Sequence, residues 1–196
     1  MIFPKLYLSK GGVMEFKEFT KKEILNSKDI KNIINRMAHE IIEKNAKLEN
    51  LVFIGIQTKG VFVAQRLTQI IEKVEKIKIP FGTIDVNLYR DDILIMSTHP
   101  VVKKTEIDFN VEGKNIILVD DVLYTGRTIR AALDEIIDLG RPARVQLAVL
   151  IDRGHRELPI QADYTGKNIP TSAGEIVEVH MAETNDTDFV ELIKTK

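Results

Sequence analysis

Cysteine and tryptophan are both absent from this chain of 196 residues. The lack of cysteine excludes disulfides, thiolate nucleophiles and cysteine-based zinc sites, and it fits a reducing cytoplasm. No apolar run approaches the roughly 20 residues of a membrane-spanning helix, so we expect no membrane association. An excess of one charge is also missing, because 28 Lys and Arg balance 29 Asp and Glu to a net charge of −1. This balance argues against indiscriminate coating of nucleic acid, although a local basic face is compatible with it.

The first thirteen residues differ from the rest of the chain. Residues 1–13 contain one proline and two adjacent glycines, show no helical or strand period, and read as a frayed extension. The codons of residues 10–13 would be rich in A and G, like a ribosome-binding site, so the hypothesis is that translation starts at Met14. Residues 14–196 are expected to form a single domain. The intact mass of protein expressed from its native gene tests the start site.

Strands and helices alternate along the chain. Apolar residues recur with a helical period from Ile30 to Ile42, after a capping pair at Asn26 and Asp29. Buried strands are predicted at 51–56, 116–119 and 145–151, and a last strand at 176–181. A further strand is predicted at 76–84, where Pro80 indicates an edge position or a bulge. Helices are predicted at 61–73 and 127–139. The pattern indicates an α/β fold, a central mainly parallel sheet flanked by helices, with a small hood at about 152–175.

The strongest chemical signal lies at residues 116–128. An apolar strand ends in Asp120 and Asp121, and Thr125 and Gly126 then precede a helix. The first N–H groups of a helix form an anion site, and a glycine lets a ligand approach the backbone closely. The two acids are suited to accept hydrogen bonds from vicinal hydroxyls. The spacing therefore fits a ribose 5-phosphate.

Other interpretations of this segment are weaker. A Walker B strand needs a G-x-x-x-x-G-K-[ST] loop, and this sequence has none. The G-x-G-x-x-G pattern of dinucleotide-binding folds is also missing. The two acids as simple helix caps remain an alternative. The four histidines show no metal-ligand spacing, so no metal site made of protein side chains is predicted.

Residues 116–128 resemble the phosphoribosyl-pyrophosphate (PRPP) motif of type I phosphoribosyltransferases. Further motifs are similar to the PyrR family of bifunctional pyrimidine operon attenuators and uracil phosphoribosyltransferases. These motifs are LYRDD at 88–92, GRP at 140–142, LAVL at 147–150, DRGHRELPI at 152–160 and GKNIPTS at 166–172. The resemblance covers about residues 26–183. It implies the type I phosphoribosyltransferase fold, and synthesis of UMP and pyrophosphate from uracil and PRPP with Mg²⁺.

The resemblance also implies the residues of the active site. The PRPP and phosphate site would comprise Ile116, Ile117, Leu118, Val119, Val122, Leu123, Tyr124, Thr125, Gly126, Arg127, Thr128, Thr58 and Gly60. The catalytic residues would be Asp120, Asp121, Lys59 and Arg90. Relatives often have a cis peptide bond in the turn around Thr58. Lys59 stands where relatives carry arginine, so it keeps the charge but lacks the bidentate fork.

The base site is predicted in the loop after the third buried strand. Arg153, Tyr164 and Thr165 are the candidates, with Tyr164 stacking on uracil or, equally, packing inside the hood. Tyr124 replaces the acid of purine-using relatives. A phenol with a pKa near ~10 is a poor base at neutral pH, which favours uracil over a purine.

The family binds a stem-loop in the leader mRNA of its own operon, more tightly when UMP is bound. The RNA-binding residues implied are Asn35, Arg36, His39, His155, Arg156 and Lys167. UMP or UTP would be the effector, and a homo-oligomer, dimeric or larger, is expected. Two alternatives remain: a uracil or purine salvage phosphoribosyltransferase without RNA binding, and an RNA regulator with vestigial activity.

Overall fold

The computed structural model describes residues 2–8, 14–45, 47–86 and 105–195. The chain divides into two units, Lys31–Ile169 and the combination of Met1–Ile30 with Pro170–Lys196. No helix among the described residues has both the length and the apolar character needed to cross a membrane. The bounds of the helices follow: α1 (Ser27–Lys44), α2 (Lys59–Glu75) and α3 (Arg127–Leu139).

The larger unit is built on a five-stranded parallel sheet. Its strands are β3 (Leu51–Ile56), β4 (Phe81–Ile84), β5 (Asn115–Leu123), β6 (Arg144–Asp152) and β7 (Tyr164–Asn168). They lie in the order β4-β3-β5-β6-β7, and every described pair is parallel. All six residues of β3 are buried, as expected for a strand that is covered on both faces. The predicted α/β fold with a central parallel sheet is confirmed.

Local sequence signals account for several of these elements. The side chain of Asn26 accepts the N–H of Asp29 at 3.0 Å, and the side chain of Asp29 accepts the N–H of Asn26 at 3.1 Å, a reciprocal cap for α1. Helix α3 spans the residues predicted. Strand β4 lies at the sheet edge, as Pro80 indicated, but it is shorter than the predicted segment and begins after this proline.

The smaller unit contains an antiparallel sheet. Its strands are β1 (Ile2–Leu8), β2 (Met14–Leu25), β8 (Glu175–His180) and β9 (Phe189–Thr195), in the order β1-β2-β9-β8. This antiparallel sheet is the hood. It differs from the segment at about 152–175 predicted from the sequence, because that stretch contributes β7 to the parallel sheet. Residues 2–8, predicted as a frayed tail, form β1 and pair with β2. The start at Met14 remains a prediction.

Candidate active site

The carboxyl end of β5 carries the two acids of the predicted motif. Asp120 is 3% exposed and Asp121 is 5% exposed, and Oδ1 of Asp120 accepts the backbone N–H of Asp121 at 2.9 Å. The apolar residues before them, Ile116 to Val119, are fully buried, which fixes the strand between β3 and β6. Ligands of open α/β sheets bind beyond this edge of the sheet. The acids are therefore held at the edge where a ligand is expected.

A tight turn joins β5 to α3. Gly126 caps the helix with a left-handed φ of 96°, a conformation that glycine adopts without steric penalty. The hydroxyl of Thr125 accepts the N–H of Arg127 at 3.2 Å, and Thr125 itself is buried. The turn thus starts α3 only a few residues after the acid pair. This arrangement can bind a phosphate monoester.

A second turn, between β3 and α2, meets the same edge. The peptide bond between Gln57 and Thr58 is cis, as the family resemblance implied, and Lys59 is the first residue of α2. Gly60 packs so closely on β5 that a Cβ added there would lie 2.5 Å from the carbonyl oxygen of Val119. The same added Cβ would lie 3.2 Å from Oδ1 of Asp120. The turn at residues 58–60 therefore adjoins Asp120 at the carboxyl end of β5.

The loop after β6 supplies a buried cation. Arg153 is 6% exposed, and its guanidinium lies 3.9 Å from the centre of the Tyr124 ring. This cation–π contact places the predicted base-site arginine against the phosphate motif. Arg90, the remaining predicted catalytic residue, lies outside the described residues, as does most of the segment between β4 and β5.

Tyr164 and Thr165 do not lie where the sequence analysis placed them. The Tyr164 ring is fully buried, and its hydroxyl accepts hydrogen bonds from Asn45 and Gln146, each at 2.9 Å. A ring without exposed surface offers no face to uracil, so the structure favours packing over stacking. The packing is inside the larger unit and not, as the alternative had it, inside the hood. Thr165 pairs with Val149 within the sheet, and its carbonyl accepts a hydrogen bond from Arg36. The carboxyl end of β7 is instead formed by Lys167 and Asn168.

The predicted RNA-binding residues fall into two groups within the larger unit. Arg36 and His39 are exposed on α1, Asn35 is partly exposed, and Lys167 is exposed on β7. Arg36 joins these elements, because its guanidinium donates to the carbonyl oxygens of Thr165 and Gly166. The second group, His155 and Arg156, lies in the loop after β6. Lys167 is paired with Ile151, near the start of that loop.

Within the second group, only His155 is exposed. Its φ of 58° follows a left-handed Gly154, so the chain turns sharply there. Arg156 instead points into the protein, where its guanidinium donates to four backbone carbonyls and pairs with Asp152. These contacts occupy its guanidinium, and its place among the RNA-binding residues stays a prediction. Glu157 was missed by the sequence analysis, and the structure pairs it with Arg127 of the phosphate turn at 2.7 Å.

One ionic cluster in the smaller unit was also missed. Ligand atoms of Glu178, His180 and Glu191 lie within 4.8 Å of one another on β8 and β9. Glu178 and Glu191 are paired across the two strands, a register that the sequence alone did not indicate. Lys21 already pairs with Glu191, and the His180 ring stacks on Phe189 at 4.1 Å. The cluster is satisfied as an ion-pair network, and we assign no metal to it.

Charge on α1 is also arranged around the buried tyrosine. Lys44 lies 5.0 Å from the centre of the Tyr164 ring and donates to Oε1 of Glu40 at 2.9 Å. This hydrogen bond with Glu40 raises the pKa of the Lys44 ammonium above its usual value. The shift favours the protonated ammonium that makes the cation–π contact.

The fold and this site define a phosphoribosyltransferase, and the model of the phosphoribosyl transferase domain matches residues 20–184. Among curated relatives, the Bifunctional protein PyrR of Deinococcus radiodurans is 52% identical over 172 residues, covering 88% of this chain and 94% of the relative. The protein of that name from Clostridioides difficile is 55% identical over 170 residues, covering 87% and 96% respectively. The chain therefore belongs to the PyrR family.

Solved structures agree on the fold. A hypoxanthine phosphoribosyltransferase from Staphylococcus aureus superposes with a TM-score of 0.66 at 19% identity, covering 89% of this chain and 92% of that chain. A hypoxanthine-guanine phosphoribosyltransferase from Bacillus anthracis superposes with a TM-score of 0.65 at 21% identity, covering 88% and 98%. At these identities the likeness establishes the type I phosphoribosyltransferase fold and not the choice of base.

Proposed function

We propose that the protein regulates pyrimidine operon transcription by UMP-dependent binding to leader mRNA, and that it also makes UMP from uracil and PRPP. The observation that carries the enzymatic half is the buried pair Asp120 and Asp121 at the end of β5, followed by the glycine-capped start of α3. The curated relatives at 52% and 55% identity are named bifunctional. Their name supports the regulatory half.

Each part of the site has a task in this reaction. The first turn of α3 binds the 5-phosphate, and the carboxylates of the acid pair accept hydrogen bonds from the ribose hydroxyls. Lys59 neutralises the pyrophosphate as its bond to the ribose C1 breaks and the uracil nitrogen bonds to that carbon. The nitrogen proton passes to solvent. Because the transition state has oxocarbenium character, fixing the ribose in line with uracil supplies much of the catalysis.

Mg²⁺ fits the donor groups at this edge. Carboxylate oxygens are hard ligands, and Mg²⁺ commonly binds one or two carboxylates together with substrate phosphates. Asp120 and Asp121 would hold the ion with the oxygens of PRPP. Bound there, it would neutralise charge on the pyrophosphate. The protein residues alone do not need to form a complete cage.

The RNA-binding half uses exposed residues of the larger unit. Arg36 and His39 on α1, Lys167 on β7 and His155 after β6 are the proposed contacts, with Asn35 at their border. Single-stranded loops and bulges are the usual targets of sequence-specific RNA readers. We place the protein in the cytoplasm as a homo-oligomer, and sedimentation equilibrium measures its oligomeric state.

The enzymatic half is tested with Asp121→Asn. The substitution keeps the size of the side chain but removes the negative charge of the carboxylate, whose oxygens accept hydrogen bonds from the ribose hydroxyls. We expect kcat/KM with uracil and PRPP to fall at least about 100-fold, as for other preorganised electrostatic groups. Asp134→Asn is the matched control, because Asp134 lies exposed on α3 in an ion pair with Arg130. Normal turnover by Asp121→Asn would contradict the site assignment.

The regulatory half is tested by binding to a labelled leader stem-loop, with and without UMP, at a fixed salt concentration. The double variant Arg36→Ala and His155→Ala is expected to lose affinity and to keep catalysis. Arg141→Ala is the control, since Arg141 is exposed just before the amino end of β6, whereas His155 follows the carboxyl end of that strand. Activity without RNA binding would favour the salvage enzyme, and RNA binding without activity the vestigial alternative.

A further inference from the structure

The loop that carries His155 is bonded to the phosphate turn by its backbone. We call residues 153–160 the strap. The N–H of Arg153 donates to the carbonyl of Leu123 at 3.1 Å. The N–H groups of Glu157 and Leu158 both donate to the carbonyl of Thr125, at 2.9 and 3.2 Å. The strap is therefore attached just before the turn that would hold the phosphate of a nucleotide, at Leu123, and at its first residue, Thr125.

Arg156 is the centre of this attachment. Its Nη1 donates to the carbonyls of Tyr124 at 2.8 Å, Gly154 at 3.2 Å and Leu123 at 3.3 Å. Its Nε donates to the carbonyl of Ile160 at 3.0 Å, and its Nη2 pairs with Asp152. The side chain is only 22% exposed. A planar guanidinium with donors in a rigid fork can hold these carbonyls in one arrangement, which an ammonium cannot.

Side chains add further contacts between the two segments. Tyr124 of the phosphate motif receives Arg153 on its ring face at 3.9 Å and meets the His155 ring edge-on, with 6.3 Å between centroids. Arg127 donates from Nε to Oε2 of Glu157 at 2.8 Å. A Cβ added to Gly126 would lie 3.3 Å from the Ile160 side chain. His155 therefore packs on Tyr124 of the phosphate motif, so a movement of one segment changes the contacts of the other.

We infer that Arg156 is a positioning residue that couples the nucleotide phosphate site to the orientation of His155, and so sets how strongly UMP favours RNA binding. The inference rests on the proposed function and explains its regulation. Phosphate bound at Thr125 to Thr128 favours one arrangement of the turn, and the guanidinium transmits this preference to the strap. Coupling of this kind needs contacts that differ between two arrangements. The hydrogen bonds from Arg156 to the carbonyls of Leu123 and Tyr124 are the contacts that the inference expects to change.

The test compares Arg156→Lys with wild-type protein in leader RNA binding with and without UMP. Lysine keeps the charge that a direct RNA contact needs but loses the fork. We expect UMP to raise wild-type RNA affinity by a factor in the usual range of about 5 to 150, and this factor to fall below about 3 in Arg156→Lys. By thermodynamic reciprocity, the factor by which RNA raises the affinity for UMP should fall in Arg156→Lys by the same amount. Arg141→Lys is the matched control and should keep the wild-type factor.

A second measurement separates this inference from the proposed function. The imidazole resonances of His155 are followed by NMR while UMP is added, assigned by comparison with His155→Gln. We expect a shift in wild-type protein that is largely lost in Arg156→Lys. Glu157→Gln is a milder change at an exposed residue. It should also reduce the shift that UMP causes, but by less than Arg156→Lys does. If wild-type protein binds no leader RNA, the regulatory proposal fails, while the NMR response still decides the coupling. Full RNA coupling or an unchanged His155 shift in Arg156→Lys overturns the inference.

Discussion

Gly60 shows how a single missing side chain shapes the active site. It is the second residue of α2, and the helix starts directly against the end of β5. A Cβ added at this position would lie 2.5 Å from the Val119 carbonyl oxygen and 2.9 Å from the Asp120 Cα. Both atoms belong to the backbone of a buried strand, which cannot move aside cheaply. The absence of a side chain thus lets the turn at 58–60 approach the acid pair.

Gly60→Ala should therefore damage both stability and catalysis. The added methyl group overpacks the junction, and we expect a loss of about 1–3 kcal/mol in unfolding free energy. We also expect a rise in KM for PRPP, because Lys59 would be pushed away from the pyrophosphate. Urea unfolding and steady-state kinetics measure the two effects.

Gly174→Ala is the matched control for this substitution. Nothing lies within 4 Å of a Cβ added at Gly174, so the same chemical change should be tolerated there. Equal stability and equal KM for the Gly60 and Gly174 variants would contradict the close packing described for the turn.

At the scale of elements, a buried polar network joins α1, β6 and β7. The Tyr164 hydroxyl accepts from Asn45 of the segment after α1 and from Gln146 of β6. Arg144 adds a hydrogen bond to Oδ1 of Asn45 at 2.9 Å. Oε1 of Gln146 is the one buried side-chain oxygen or nitrogen in the described residues without a hydrogen-bond partner. The tyrosine is therefore a structural residue that organises polar groups inside the fold.

Tyr164→Phe tests this structural role. Removal of the hydroxyl leaves the Gln146 amide without its acceptor, and a buried unsatisfied group of this kind costs about 1–3 kcal/mol. We expect lower stability in urea unfolding and an unchanged KM for uracil. In a double-mutant cycle, Asn45→Ala with Tyr164→Phe should lose less than the sum of the single changes. A stable variant with a raised KM for uracil would instead restore Tyr164 to the base site.

The sequence predicted best the elements whose signals are local. Helix α3 was predicted with its observed bounds, because Gly126 and Gly140 mark both ends of its apolar period. Strand β7 was missed, because its five residues include a glycine, a lysine and an asparagine and lack an alternating pattern. The hood was assigned to another segment, since its sheet pairs the two ends of the chain. Pairing over such a distance leaves no local pattern.

The same distinction explains the site. Asp120, Asp121 and Gly126 were predicted because strand, acids and glycine are contiguous. Tyr164 was misplaced because only its partners Asn45 and Gln146, distant in sequence, determine that it faces the interior. The hydrogen bonds of Arg156 were not predicted for the same reason. Which arginine is exposed is decided by the carbonyls around it, and these become neighbours only when β5 and β6 pair.

For the whole molecule, the phosphate turn should make ligand binding a source of stability. UMP that binds only the folded protein adds about 2.7 kcal/mol at a concentration 100 times its Kd. We expect UMP to raise the melting temperature and uridine, which lacks the phosphate, to have little effect at the same concentration.

Thr125→Ala removes the hydroxyl that organises the turn, so the response to UMP should shrink toward that of uridine. Thr184→Ala, whose hydroxyl bonds to the Met181 carbonyl in the smaller unit, should keep the full response. Equal stabilisation by UMP and uridine would mean that base and ribose contacts, and not the start of α3, provide the binding energy.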